Sequence, residues 1–211
     1  AADVDWQDYF QDPRLKRLMA LALNNNRDMR VAVLAIEQTR AKLQVSRADA
    51  FPTVGVGIAG SRGTLPSGAV GNSYTAGLSV TAFELDLFGR VRALSQAAQA
   101  QVLATEEARK TVQISLLASV ASTYLNLLAD NALLKITQET LHTRQESFKL
   151  TQLKFDNGAV SRLDLSQSQS LLEGAKVTFA QLTRQRAQDE NALTFLVGQP
   201  LPADLPAGLP L

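Results

Sequence analysis

The period of apolar positions changes twice along the chain. Leu15, Leu18, Met19 and Ala22 recur at helical spacing. Asp12 and Pro13 precede them in the form of a helix start: a side-chain acceptor for free N–H groups, then a residue whose missing N–H costs nothing. The Asn-rich stretch NNNRDM at 24–29 reads as a break able to tolerate left-handed backbone. A second helix is predicted from about Asp28 to Ala50, with a narrow stripe of Val31, Leu34, Ala35, Gln38, Ala41 and Val45. Phe51–Pro52 ends it, because a residue before proline is pushed out of the helical region.

The period then falls to two. TVGVGIAG (53–60) sets Val54, Val56 and Ile58 against Gly55, Gly57 and Ala59. SYTAGLSVTA (73–82) sets Tyr74, Ala76, Leu78, Val80 and Ala82 against Ser73, Thr75, Gly77, Ser79 and Thr81. This predicts two strands joined by a Gly-, Ser- and Pro-rich loop from Ser61 to Asn72. About ten residues is the length a tilted strand needs to cross a bilayer, and one apolar face opposite a small, polar one is the transmembrane-barrel pattern. A soluble hairpin lying on a helical core has the same period. A hairpin alone is marginal and leaves both edges open, which lipid does not tolerate, so a membrane hairpin must close with further strands.

From Arg90 to Asn157 the chain contains neither Gly nor Pro. The prediction is one helix from about Gly89 to Asn157, about 100 Å long at 1.5 Å per residue. Its seam is Ile114, Leu117, Val120/Ala121, Tyr124, Leu127/Leu128 and Leu134; a break near Ala129–Ala132 is the alternative. Asn157–Gly158 suits a helix end, because Gly accepts left-handed backbone without a Cβ clash. Ser161 and Asp164 then have capping-box spacing for a helix to about Val197, with Asp164 at the positive end of its dipole. Four prolines in the final GQPLPADLPAGLPL read as a linker.

Composition narrows the chemistry. The 211 residues are rich in Ala and Leu, contain no Cys, and carry a net charge of +1 with both signs interspersed. Disulfides and thiolate sites are thereby excluded within the chain, and nothing points to nucleic acid. No uninterrupted apolar run approaches about 20 residues, and AADVDWQDYF is not a signal peptide. The only His, His142, falls on a polar helix face. Neither a nucleotide-binding loop nor a nucleophile or zinc motif is present, and no cofactor, metal site or catalytic residue is expected.

AFPTVGVG (50–57), TAFELDLFGRVR (81–92), ASVASTYLNLLA (118–129) and FDNGAVSRLDLSQSQ (155–169) together resemble the TolC-type outer-membrane efflux protein family. The likeness is to the branch serving resistance–nodulation–division (RND) pumps. Its most specific element is Glu84, Leu85, Asp86, Leu87, Phe88, Gly89 and Arg90 at the strand–helix junction. LALNNNRDMRVA (21–32) and the final LPADLPAGLPL also fit.

The resemblance implies a mainly α fold: half of a TolC-like α-barrel plus a two-stranded hairpin contributing to an outer-membrane β-barrel. Only the first of the family's two repeats is present. The expected divisions are 1–50 (N-terminal segment and first helices), 51–86 (hairpin), 87–198 (long helix, tip and returning helix) and 199–211 (linker to a second repeat). The implied function is the N-terminal half of a passive exit duct of a multidrug efflux pump. It would reside in the outer membrane of a Gram-negative bacterium, mostly within the periplasm, and would not be an enzyme. The implied partners are a periplasmic adaptor (membrane fusion) protein, through it an inner-membrane RND transporter, outer-membrane lipid, and two further copies in a homotrimer. Val54, Val56, Ile58, Tyr74, Leu78 and Val80 would meet lipid. Asn157, Gly158, Ala159, Val160 and Ser161 would meet the adaptor, and Asp164 would lie near the aperture. A soluble helical interaction module without pore function is the alternative.

Overall fold

The computed structural model describes residues 6–64, 66, 68–81, 83 and 85–209. Along the chain the elements are α1 (Trp6–Tyr9), α2 (Pro13–Asn25), α3 (Arg27–Ala48), β1 (Thr53–Thr64), β2 (Val70–Thr81), α4 (Arg90–Asp156) and α5 (Arg162–Val197). The chain divides into two compact units, residues 1–31 with 110–211, and residues 32–109.

In the first unit the α2 stripe is as expected: Leu15, Leu18, Met19 and Ala22 are buried. They join Met29, six α4 residues from Leu116 to Leu127, and Leu193 and Val197 of α5 in one core. The predicted α4 seam holds from Leu117 to Leu127, but Ile114 is exposed. Alpha-4 runs 67 residues without a break. One 18-residue window of it is apolar enough to cross a membrane by composition, and a third of that window is buried.

The break between α2 and α3 works differently from the expectation. No described non-glycine residue has a positive φ, and Asn26 is extended at φ −63° and ψ 134°. Asn26 ends one helix and starts the next. Its N–H donates to the Ala22 carbonyl at 2.8 Å, while its Oδ1 accepts from the N–H groups of Asp28 and Met29 at 2.9 and 3.1 Å. Its Nδ2 donates to the Leu196 carbonyl at 2.9 Å. That last bond satisfies one of the carbonyls a helix end leaves free. Gly198 caps α5 with φ 79°, and a Cβ there would strike the Asn25 carbonyl.

In the second unit Ile36 and Leu43 of α3 and Val91 and Val102 of α4 are buried. Val31, Leu34 and Val45, from the stripe expected on α3, are exposed instead. Two apolar stripes share this helix, and the sequence period does not say which one packs. Alongside them, Arg40 of α3 donates to Glu106 of α4 at 2.8 Å, and the Thr39 and Thr105 hydroxyls lie 3.5 Å apart.

Candidate functional sites

The hairpin is built by its period. Antiparallel pairing runs from Thr53↔Thr81 to Thr64↔Val70, so the ladder reaches well into the stretch expected as loop. Because successive side chains point to opposite faces, one face holds the rungs Val54–Val80, Val56–Leu78, Ile58–Ala76 and Gly60–Tyr74, then the polar rung Arg62–Asn72. The other holds Gly55–Ser79, Gly57–Gly77, Ala59–Thr75, Ser61–Ser73 and Gly63–Gly71. That face carries no side chain larger than Thr. Tyr74 lies across from Gly60, where a Cβ would stand 3.2 Å from its ring.

All six residues expected to meet lipid are exposed: Val54 60%, Val56 77%, Ile58 81%, Tyr74 79%, Leu78 78% and Val80 62%. Twelve residues per strand span about 40 Å, or about 30 Å at a tilt near 40°. Ala82 and Glu84 lie outside the described residues. Of the remaining junction motif, Asp86 Oδ2 accepts the Arg92 N–H at 2.9 Å, satisfying a free donor of the first turn of α4. Gly89 enters the helix at φ 75°, and Leu85, Leu87 and Phe88 are exposed, Phe88 almost completely.

The reversal between α4 and α5 is held by its own backbone. Gly158 has φ 73°; its N–H donates to the Phe155 carbonyl at 2.9 Å, and Ala159 N–H donates to the Lys154 carbonyl at 2.8 Å. This is the Schellman pair. Asn157 Nδ2 adds a bond to the Leu153 carbonyl at 2.7 Å. Ser161 then caps α5: its Oγ accepts from Asp164 N–H at 3.2 Å and donates to Asp164 Oδ2 at 2.6 Å, while Ser161 N–H donates to that oxygen at 2.9 Å. The Ser161 hydroxyl and N–H hold the Asp164 carboxyl below the usual range. Asn157, Gly158, Ala159, Ser161 and Asp164 are exposed and Val160 is half-buried. Among the described residues, the space where a Cβ of Gly158 would go is open.

Two constellations in the first unit were not legible as such. Asp12 was expected only as a helix cap. Its Oδ1 does accept from Arg14 and Leu15 N–H at 2.7 and 3.2 Å, but its Oδ2 accepts from the Tyr124 hydroxyl at 2.9 Å and Leu209 N–H at 3.0 Å. Burial pushes the Asp12 carboxyl up, yet these donors outweigh it and hold the group below the usual range. Burial, together with the Asp12 bond and charge, pushes the Tyr124 hydroxyl up to about 12. On α4 and α5, burial and the neighbouring Asp189 carboxylate push Asp130 upward, and Arg186 Nε donates to Asn131 Oδ1 at 2.7 Å. These partners are 55 or more residues apart, beyond the reach of a local pattern.

The profile of the family described as outer membrane efflux protein matches residues 18–199. The probable efflux pump outer membrane protein TtgC of Pseudomonas putida is 44% identical over 218 residues, covering 100% of this chain and 45% of its own length. The outer membrane protein OprJ of Pseudomonas aeruginosa is 38% identical, over 92% of this chain and 42% of its own. Among solved structures, the open-state MtrE outer membrane channel of Neisseria gonorrhoeae superposes with a TM-score of 0.84 at 38% identity, covering 99% of this chain and 47% of that one. The chain spans about half the length of the relatives it matches.

Proposed function

Because the chain belongs to the outer membrane efflux protein family, we propose that it forms one half of the subunit of an outer-membrane exit duct. In this reading the duct is a passive component of a tripartite efflux pump in a Gram-negative bacterium. The observation that carries the reading is the hairpin: an exposed face of Val, Ile, Leu and Tyr backed by a face of Gly, Ala, Ser and Thr only. An exposed apolar face of this size calls for an apolar solvent or a partner. Lipid on that side and a wide aqueous lumen on the other satisfy both faces, with small residues leaving the lumen open. Two strands cannot close a barrel, and open edges are untenable in lipid. The remaining strands come from the other half of each subunit and from two further subunits of a trimer.

The tip supports the second part of the proposal. Asn157, Gly158, Ala159 and Ser161 place their N–H groups in local bonds and are exposed, as a docking tip for a periplasmic adaptor requires. Through that adaptor an inner-membrane RND transporter would supply the energy. Asp164, ionised and fixed by Ser161, would stand near the narrow end of the duct.

The test is a chimera in which this chain replaces the corresponding half of the P. putida relative, purified and reconstituted into planar bilayers. Trimers with stepwise ion conductance are expected. Water-soluble monomers without conductance would overturn the duct reading in favour of a soluble interaction module.

A further inference from the structure

The Pro-rich C-terminal stretch makes specific contacts with the helical unit. Leu201 and Leu205 pack against the core made by α2, α4 and α5. Gly208 sits so close to α4 that a Cβ would fall on the Tyr124 hydroxyl, and it would also come within 3.4 Å of Arg14 Cδ and Asp12 Oδ2. Leu209 N–H then reaches Asp12 Oδ2 at 3.0 Å. Asp12 is therefore shared by three parts of the chain that are remote in sequence: the first turn of α2, the middle of α4 and the C-terminal segment.

We propose that residues 199–209 are a strap that closes the core, and that Asp12 is its latch. One carboxylate oxygen starts α2 and the other holds the strap, so the two jobs are separable by oxygen. A carboxylate accepts at both oxygens, whereas an amide keeps one acceptor and turns the other position into a donor. In Asp12→Asn the retained carbonyl oxygen still caps Arg14 and Leu15. The new NH2 faces the Leu209 N–H, donor against donor, and the strap is released. Gly208 is the second requirement, because only a residue without Cβ lets the strap pass over Tyr124. The latch does not depend on a duct or a membrane.

Hydrogen exchange read by NMR on the 211-residue chain tests this. A hydrogen bond to a charged acceptor contributes about 1.5–3 kcal/mol, or roughly 10- to 100-fold in exchange. The Leu209 amide is expected to be protected by about that factor. In Asp12→Asn that protection is lost, while the amides of Arg14, Leu15 and Val120 keep theirs. A Leu209 amide exchanging at its intrinsic rate beside a protected Val120, or one unmoved by Asp12→Asn, would overturn the latch. A second arm holds even if that variant unfolds. Gly208→Ala should release the strap, and adding Tyr124→Phe, which removes the hydroxyl the new methyl meets, should restore part of the Leu209 protection. Equal loss with and without Tyr124→Phe would contradict the seat.

Discussion

Val120 and Val197 in the helical unit are fully buried, whereas Val56 and Leu78 in the hairpin unit are 77% and 78% exposed. Burying a side chain of this kind contributes about 1.5–3 kcal/mol, so the hairpin forgoes, at every rung, the term that holds the helices together. Its ladder and the period of its residues are intact all the same. The helical unit buries a cluster of apolar residues within the chain, whereas the hairpin leaves its own apolar face exposed. One set of apolar residues makes a fold, and the other prepares a surface.

That contrast can be broken most strongly in the core. Leu18→Ala removes a fully buried side chain from the middle of the cluster and is expected to cost about 2–5 kcal/mol. Urea unfolding followed by the emission of Trp6, the only Trp and one packed against this core, reads the loss. A cost below about 1 kcal/mol would mean the cluster is not a packed core.

The two left-handed glycines sharpen the comparison within the helical unit. Gly198→Ala and Gly158→Ala pay the same left-handed penalty of about 1–2 kcal/mol. At Gly198 the new methyl also meets the Asn25 backbone, while at Gly158 it meets open space. Gly198→Ala should therefore exceed Gly158→Ala clearly in the same unfolding assay; equal costs would mean that Gly198 is no more constrained by packing than the tip.

A smaller effect belongs to the cap at Ser161. Ser161→Ala should cost about 1 kcal/mol and weaken with it the pH dependence of the α5 start. Asp164 lies below its ordinary value when folded, so its contribution is present above that value and disappears as pH falls through the folded one. The gap between the acid unfolding curves of Ser161→Ala and the parent chain should accordingly narrow at low pH, down to what Ser161 Oγ contributes by accepting the Asp164 N–H. Smallest of all, Val56→Ser is expected to change the stability of the chain in water by no more than about 0.5 kcal/mol, as for an exposed side chain. A loss comparable to Leu18→Ala would show that the hairpin face is buried after all.

What was legible in the sequence was local. The starts at Asp12–Pro13 and Ser161–Asp164 follow from a few adjacent residues, and so does the Gly158 reversal. The alternation in β1 and β2 gave both faces correctly, although the ladder runs further than the loop-like composition of Ser61–Asn72 suggested, because Arg62, Gly63 and Thr64 still find partners. Tertiary roles were out of reach. Asn26 reads as a turn residue, and only its bond to Leu196, 170 positions away, explains why it is buried. The choice between the Ile36–Leu43 and Val31–Val45 stripes on α3 was equally undetermined, since both are apolar. Prolines in 199–211 suggest a tether, yet Leu201 and Leu205 have seats in the core. Recognition of the family rested on short motifs such as residues 84–90, of which Leu85, Leu87 and Phe88 are exposed and make no core.

In the proposed duct the even-numbered face of the hairpin meets lipid and the odd-numbered face meets water. Nitroxide labels placed one at a time at positions 54 to 59 of the reconstituted chimera test it directly, through collision with oxygen, which partitions into lipid, and with a water-soluble nickel complex. Alternation with a period of two is expected, oxygen favoured at 54, 56 and 58 and nickel at 55, 57 and 59. Equal nickel access at all six positions would contradict it.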